Sequence, residues 1–589
     1  PTAAAVYGTN RTSYVQGLAR LYFNFTTNDT TDLSVSDAGA SELIRSFWSC
    51  QEVSTDEVKC AWTDTWAKAI NTNTYSATDN NDMTYAVFVR TLQGVSYINE
   101  YLRQTAPERL EIRGVDSDLK RDIEGFRAEA RFLRAYYYWM AMDIFGDVPF
   151  TTENDAFGEL PDQKSRKEVY EFIVDELEEL VADGSAMPEA ASNRPRADKG
   201  AALGLLARVY LNAEVYTGEP AWDLCRETCK KIFKLGKYSL SSNYASLFRG
   251  DNGENPDAYN EFLFSAYYDE DIAQSWGGAT YLTCGAADPG EILEKTDVIH
   301  DIKIDTIEYK KPSDYKADKG HEVIYKETEK VWKFERDSAV VRKDTIYKQI
   351  SRLGIGNGWT GLHVHEHFVN THFNPQNVVW LGQKDEDGNT LVEGHDIADN
   401  RGYAFHTARR TGGSFTKLEN TFFEGWGCWK YNNLPHANES IGETDESLGI
   451  KRWEDGNPDK TTNIDFPLIR LGEIYLIYAE ACLRSGQEIG EAQGKMQELA
   501  VRTGVPAITL PAGWSYDAMQ LLREERGREL YWEGHRRTDL IRYESYYQDS
   551  YPWPFKGDNG ESFDRHKALY PLPSSQLKAN PDWHNPEGY

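Results

Sequence analysis

The sequence predicts a mainly α-helical protein, with tetratricopeptide-like helical hairpins packed against a loop-rich, ligand-binding half that carries short strands. Three observations lead there. Apolar residues recur at helical spacing through the first 240 residues or so and again after residue 465. Between about 246 and 460 that spacing disappears, and Gly, Asn, Asp and aromatic residues crowd together, with seven of the sixteen Trp. At 589 residues the chain exceeds what one hydrophobic core usually supports, so several packed lobes are expected. The organisation read from this is a helical region over 1–245, an aromatic-rich insertion over 246–460, and helices over 461–589 that pack back on the first set.

Each element follows from its pattern. In FRAEARFLRAYYYWMAMDIFGDVPF, residues Phe126, Ala130, Leu133, Tyr137, Met140 and Ile144 form one stripe, which Gly146 and Pro149 terminate. Ala202, Leu203, Leu206, Tyr210 and Ala213 form a second stripe, and a third helix runs from Trp222 to Leu235. Small residues on the contact faces point to paired helices of the tetratricopeptide kind. In the middle region, Val298–Tyr309 and Val331–Ile350 alternate like strands with one face in water. Asp387-Gly388-Asn389 lies between two strand-like runs and predicts a hairpin turn; its carboxylates lack the glycine spacing of a calcium-binding EF-hand. Helices return with Asp465 as cap and Pro467 in the first turn, above a stripe of Leu471, Ile474, Tyr475, Tyr478, Ala481 and Cys482. A long charged helix is expected over about 517–543, followed by an extended, Pro-rich tail.

Composition then excludes several functions. The 94 acidic side chains exceed the 64 basic ones, for a formal charge of −30. Nucleic acid is an improbable partner, because its phosphates are bound through counterion release to Lys and Arg. The same charge opposes adhesion to anionic lipid. The seven Cys form no disulfide framework, and Cys225 and Cys229 share one helix face as buried thiols. No apolar run reaches the roughly 18 residues that a spanning helix needs. The start, Pro1-Thr2-Ala3-Ala4-Ala5, carries no signal-peptide core, so a cytosolic protein or a removed leader is expected.

No motif supplies a catalytic group. Glu525, Glu529 and Glu533 fall four apart on one helix, with Arg526, Arg528, Arg536 and Arg537 nearby to neutralise them. An ion network holding the last helices to the core is the expectation. His363, His365, His367 and His372 crowd GLHVHEHFVNTHF, but the HExxH zinc pattern is absent and a polar loop or helix entry is expected. No catalytic residue, metal site or cofactor is therefore assigned. The aromatics are different. Trp62, Trp66 and Tyr75 lie in a loop-rich stretch with Asp64, Asn71 and Asn73, while Trp276 sits in AQSWGG and Trp359 in GNGWTG. Indoles beside glycine, outside any amphipathic stripe, can offer flat faces to the C–H face of a sugar ring, while nearby Asp and Asn bond hydroxyls.

Several segments resemble the SusD/RagB family of outer-membrane nutrient-binding lipoproteins: AEARFLRAYYYWMAMDIFGDVPF, DKGAALGLLARVYLNAEVYTG, FPLIRLGEIYLIYAEACL, EERGRELYWEGHRRTDLIRYE and YPLPSSQLKANP. FWSCQEVSTDEVKCAWTD, QSWGG and NGWTG look similar to its starch-binding branch. The resemblance implies a cell-surface, lipid-anchored glycan binder that acts as a lid over a TonB-dependent, SusC-like transporter, with leader and anchor trimmed before Pro1. It implies an aromatic arc, and the candidate ligand-binding residues are Trp359, Trp276, Tyr75, Trp66, Asn73 and Asp64. Tyr75 stands where the branch leads one to expect a tryptophan, and the charged stretch at about 290–350 looks longer than in the founding member. The rival readings are a glycoside hydrolase using the Glu525/Glu529 face or another carboxylate pair, and a peptide-binding scaffold on the helical hairpins.

Overall fold

The structure is a computed structural model that describes residues 7–29, 33–156, 158, 160–190, 195–285, 355, 358–375, 397–406, 422, 424–433, 461–547 and 563–589, and the strand backbones at 291–300, 321–326, 331–336, 342–351, 378–380 and 393–395. The chain is mainly helical. Helices stack side by side in the order Asp82–Gln104, Ser117–Phe145, Arg166–Val181, Lys199–Leu211, Trp222–Leu235, Leu471–Ser485 and Ile489–Ala500. The stack follows chain order, with only the short helices Pro107–Ile112 and Ala213–Thr217 between neighbours, except where Trp222–Leu235 meets Leu471–Ser485 across the loop-rich middle region.

The apolar stripes explain the packing. Phe126, Ala130, Leu133, Tyr137, Met140 and Ile144 are all buried on the Ser117–Phe145 helix. Gly146 ends it at φ 76°, a left-handed backbone region that costs glycine little. Cys225, Cys229 and Cys482 lie buried between the Trp222–Leu235 and Leu471–Ser485 helices and their neighbours, and all seven cysteines are free. No described helix is long and apolar enough to cross a membrane.

Three sequence expectations are corrected. Asp465 caps no helix: Phe466–Arg470 is a strand, antiparallel to Phe262–Ala266, and the helix begins at Leu471. All five residues of that strand are buried, and a short apolar run of this kind has no periodicity to separate strand from helix. The Asp465 carboxylate instead accepts the Tyr268 amide at 3.1 Å. The helix expected over 517–543 is two, Tyr516–Leu530 and Arg536–Arg542. Between them Trp532 and Gly534 take positive φ of 63° and 83°. Glu57 accepts the Trp532 amide, while Glu52 accepts those of Gly534 and His535 at 2.6 and 3.1 Å. These tertiary carboxylates replace the helical acceptors. Trp66 lies in a helix, Thr65–Thr72, and not in a loop.

In the middle region, Glu291–His300 pairs antiparallel with Arg342–Ser351, and His321–Lys326 with Val331–Arg336. The first run read as a strand thus reaches His300, and its remainder, 301–309, lies outside the described residues. Val378–Trp380 pairs antiparallel with Glu393–His395; the turn proposed at Asp387-Gly388-Asn389 between them also lies outside the described residues.

The acidic triplet is the hub of a buried ion network. Glu529 accepts from Arg470 and Arg502 at 2.6 Å and from Arg401 at 3.1 Å. Glu533 accepts from Arg470 and Lys430 at 2.7 Å, and Glu525 from Arg401 at 2.8 Å. Burial pushes the Glu529 carboxyl up, but Arg502, Arg470 and Arg401 together outweigh it and hold it well below the usual range. Burial is likewise overcome at Glu480, which Arg542 and Arg484 bring down to about 2.

Acid should therefore unfold this protein. Carboxyls depressed in the folded state contribute stability that is present above their unfolded value, near 4.5 for Glu, and lost as pH falls toward about 2. Burial raises Glu42 and Glu52 to about 7, and their effect has the opposite sign: stability is lost as pH climbs from about 4.5 through 7. The urea midpoint is expected to drop sharply between about pH 4.5 and 2, with a shallower decline toward pH 7 and above. A midpoint unchanged from pH 6 to pH 3 would contradict the network's role.

Candidate functional site

A short antiparallel ladder assembles the site. Val58–Cys60 pairs with Leu362–Val364, with Cys60 opposite Leu362, and this brings the Trp62 and Trp359 segments side by side. The Ala61 amide donates to Gly361 O, and the Trp62 indole N–H to Thr360 O, both at 2.7 Å. Thr360 and Gly361 have φ of 48° and 128°, and a side chain at 361 would collide with the Trp62 indole. Glycine is thus required where the two segments touch.

Trp276 arrives from a third loop, just before the Ala279–Gly285 helix. Gly277 takes φ 60° and lies against the edge of Trp359, with no room for a Cβ. Trp359 is the centre of the cluster. Its ring centre is 5.0 Å from Tyr281, 5.8 Å from Trp276 and 6.3 Å from Trp62. Trp66 backs Trp62 at 6.1 Å. Tyr281 and Trp66 are buried, Trp62 and Trp359 are half-buried, and Trp276 is 36% exposed. Three indoles, with Trp359 between contacts to the other two, thus reach solvent beside two buried rings.

Charged and polar groups surround them. Arg45, on the Leu43–Glu52 helix, forks onto Asp37 with two bonds of 3.0 Å and donates to Gly277 O at 2.8 Å. Its guanidinium carbon lies 5.2 Å from the Trp359 ring centre. Glu42 caps the same helix, is fully buried, and is raised by that burial to about 7. Asp64 is exposed at the start of the Thr65–Thr72 helix, two residues past Trp62.

The structure does not bring all the candidate residues together. Trp359 and Trp276 meet, Trp66 stands behind Trp62, and Asp64 lies on the rim. Tyr75 is 1% exposed, with its hydroxyl on Lys567 O at 2.8 Å and its ring 4.3 Å from Tyr570. Asn73 is buried too, bonded to Ser54 O and to the Tyr546 hydroxyl. The C-terminal tail covers this loop, so Tyr75 and Asn73 belong to the core rather than to a solvent-facing platform. Trp62, Arg45, Asp37 and Asn28 complete the site without having been among the candidates. Only Trp62, in the same CAWTD run, carried a signal in the sequence.

The histidines of GLHVHEHFVNTHF lie on a short strand and on the helix that follows it. His363 is on the Leu362–Val364 strand, His365 caps the Glu366–Phe373 helix, and His372 stacks on Phe368 at 4.0 Å. Burial holds His372 well below its ordinary value. Among the described residues no group of three or more His, Cys, Asp or Glu could hold a metal ion.

A stack of helical hairpins interrupted by a loop-rich aromatic insertion is a fold shared with known structures. Surface glycan-binding protein A from Bacteroides fluxus matches with TM-score 0.61 at 16% identity, over 99% of this chain and 100% of that one. A laminarin binding SusD-like protein matches with TM-score 0.60 at 17% identity, over 99% and 100%. The starch-binding protein SusD of Bacteroides thetaiotaomicron is 28% identical over 578 residues, 95% of this chain and 88% of that protein. The SusD family model matches residues 321–589, and a second model, described as starch-binding associating with outer membrane, matches 34–211. The chain belongs to the SusD family.

Proposed function

We propose that this protein is a non-catalytic, cell-surface glycan-binding lipoprotein of the outer membrane, which captures oligosaccharides or polysaccharide and delivers them to a TonB-dependent, SusC-like transporter. The observation that carries this reading is the cluster of part-exposed indoles, in which Trp62 and Trp276 lie 6.3 and 5.8 Å from Trp359, with glycines flanking Trp276 and Trp359. Each stack on a sugar face contributes about 1 kcal/mol, so three rings give a modest affinity suited to a repeating polymer. Lipid anchoring beside a transporter raises the effective concentration and makes modest affinity adequate. Relatives named for starch, laminarin and surface glycan binding support the ligand class. Asp64, exposed two residues past Trp62, favours an uncharged glycan over a uronate-rich one.

The carboxylates of the Glu525/Glu529 face do not fit the hydrolytic role. A glycosidase needs two carboxyls flanking the bond in an open cleft, one of them with a raised pKa. Glu525, Glu529 and Glu533 are buried under arginines and held low. A glycan array on the purified chain, followed by a reducing-sugar assay on every hit, tests both halves of the proposal. Binding to neutral glucans without sugar release is expected. An empty array would remove the ligand class, and steady sugar release would remove the non-catalytic assignment.

A further inference from the structure

We infer that Arg45 is a positioning residue that holds Trp276 and Trp359 in one preformed cluster, with Asn28 fixing the same loop through the backbone of Trp276. The inference rests on the glycan-binding reading for its affinity arm alone. Arg45 joins four separated segments. Its backbone lies on the Leu43–Glu52 helix, its fork holds Asp37, its Nη1 donates to Gly277 O, and its guanidinium covers Trp359. The side chain is 2% exposed, whereas that of its partner Asp37 is 37% exposed. Arg45 is thus shielded by the site it organises, and its charge is balanced without any ligand.

Asn28 reaches the loop one residue earlier. Its Oδ1 accepts the Trp276 amide at 2.8 Å, and its Nδ2 donates to Trp276 O at 3.2 Å, with a second bond of 2.9 Å to Ala38 O. Both polar backbone groups of Trp276 are therefore held by one side chain 248 positions away in sequence. An exposed indole on a free loop would sample many orientations and lose that freedom on binding. Held at both ends, it meets a sugar face already oriented, and less of the stacking energy is consumed in ordering it. Arg45 and Asn28 would set affinity without touching the ligand.

The test uses the full chain and two readouts. Hydrogen–deuterium exchange without ligand follows peptides spanning 274–282, which include Gly278, bonded through its own amide to Ser275 O at 3.2 Å. Titration with soluble starch and with laminarin then compares wild type, Asn28→Ala and Arg45→Met, each alone and combined with Trp276→Ala. Exchange in that segment is expected to quicken about tenfold in both single variants, and the dissociation constant to rise about two- to fivefold, no more than removal of the Trp276 ring itself would cost. On the Trp276→Ala background Asn28→Ala should alter affinity less than about twofold, because the ring it positions is gone, while Arg45→Met should keep only the part of its effect that runs through Trp359. Should Arg45→Met fail to fold, Asn28→Ala, at a half-buried position, carries the test unaided. Unchanged exchange in Asn28→Ala, or an equal affinity loss with and without Trp276, overturns the inference. If wild type binds neither glucan, the expectation of neutral-glucan binding fails separately, and the exchange result decides the positioning role by itself.

Discussion

Glu529→Ala is expected to destabilise the folded protein by about 3–5 kcal/mol, the cost of leaving buried charge unpaired. The carboxylate is fully buried and receives Arg470, Arg502 and Arg401 together. Removing it strands three guanidiniums that have no route to water, and Glu261, Glu533 and Glu525 can compensate only in part. Those arginines come from the Phe466–Arg470 strand, the turn after Ile489–Ala500, and the 399–401 segment of the insertion. The loss should therefore loosen the insertion and the helical stack at once. Glu529→Gln, which keeps the shape and one acceptor, is expected to lie between the two. Urea unfolding at pH 7 measures this, and a midpoint within error of wild type for Glu529→Ala would contradict the network as a source of stability.

Replacing both Trp276 and Trp359 by alanine is expected to weaken glycan binding at least about 30-fold, since each stack is worth about 1 kcal/mol and the two rings act on one ligand. The single changes differ in kind. Trp276 is the most exposed ring of the cluster, so Trp276→Ala should lower affinity about fivefold with little effect on stability. Trp359 also packs on Tyr281 and beneath Arg45, so Trp359→Ala should cost about 1–3 kcal/mol of stability as well. Tyr75→Phe serves as the control: it keeps the ring against Tyr570, far inside the core, and should leave binding unchanged. Isothermal titration with an array hit, beside thermal melts of each variant, separates lost contacts from lost structure. Equal binding by the double variant and wild type would remove the indole cluster from the account.

Much of the fold was legible because helical packing leaves a local trace. The stripes at Phe126–Ile144 and Leu471–Cys482 lie on buried helices, and the Trp222–Leu235 helix has the ends its sequence predicts. Legibility failed where distant groups decide a local conformation. Nothing in LYWEGHRR shows that Glu52 and Glu57, from another part of the chain, break the helix there. FPLIR reads equally as a helix start or a strand, because its four apolar residues before Arg470 are too few to show a period. At the site, glycine neighbours marked Trp276 and Trp359 as loop-borne rings. Loop placement alone did not separate them from Tyr75, which the C-terminal tail seals through Lys567 and Tyr570. The clamp of Asn28 on Trp276 joins residues too far apart in sequence to leave any mark in either segment.

A crystal structure of the full chain with an oligosaccharide taken from its own array hits tests the central claim most directly. The account predicts a sugar ring lying on Trp276, with Trp359 and Trp62 alongside and Asp37 or Asp64 within reach of its hydroxyls. A ligand seated instead in the groove lined by Arg166, Tyr516 and Arg565, with Trp276 bare, would contradict it.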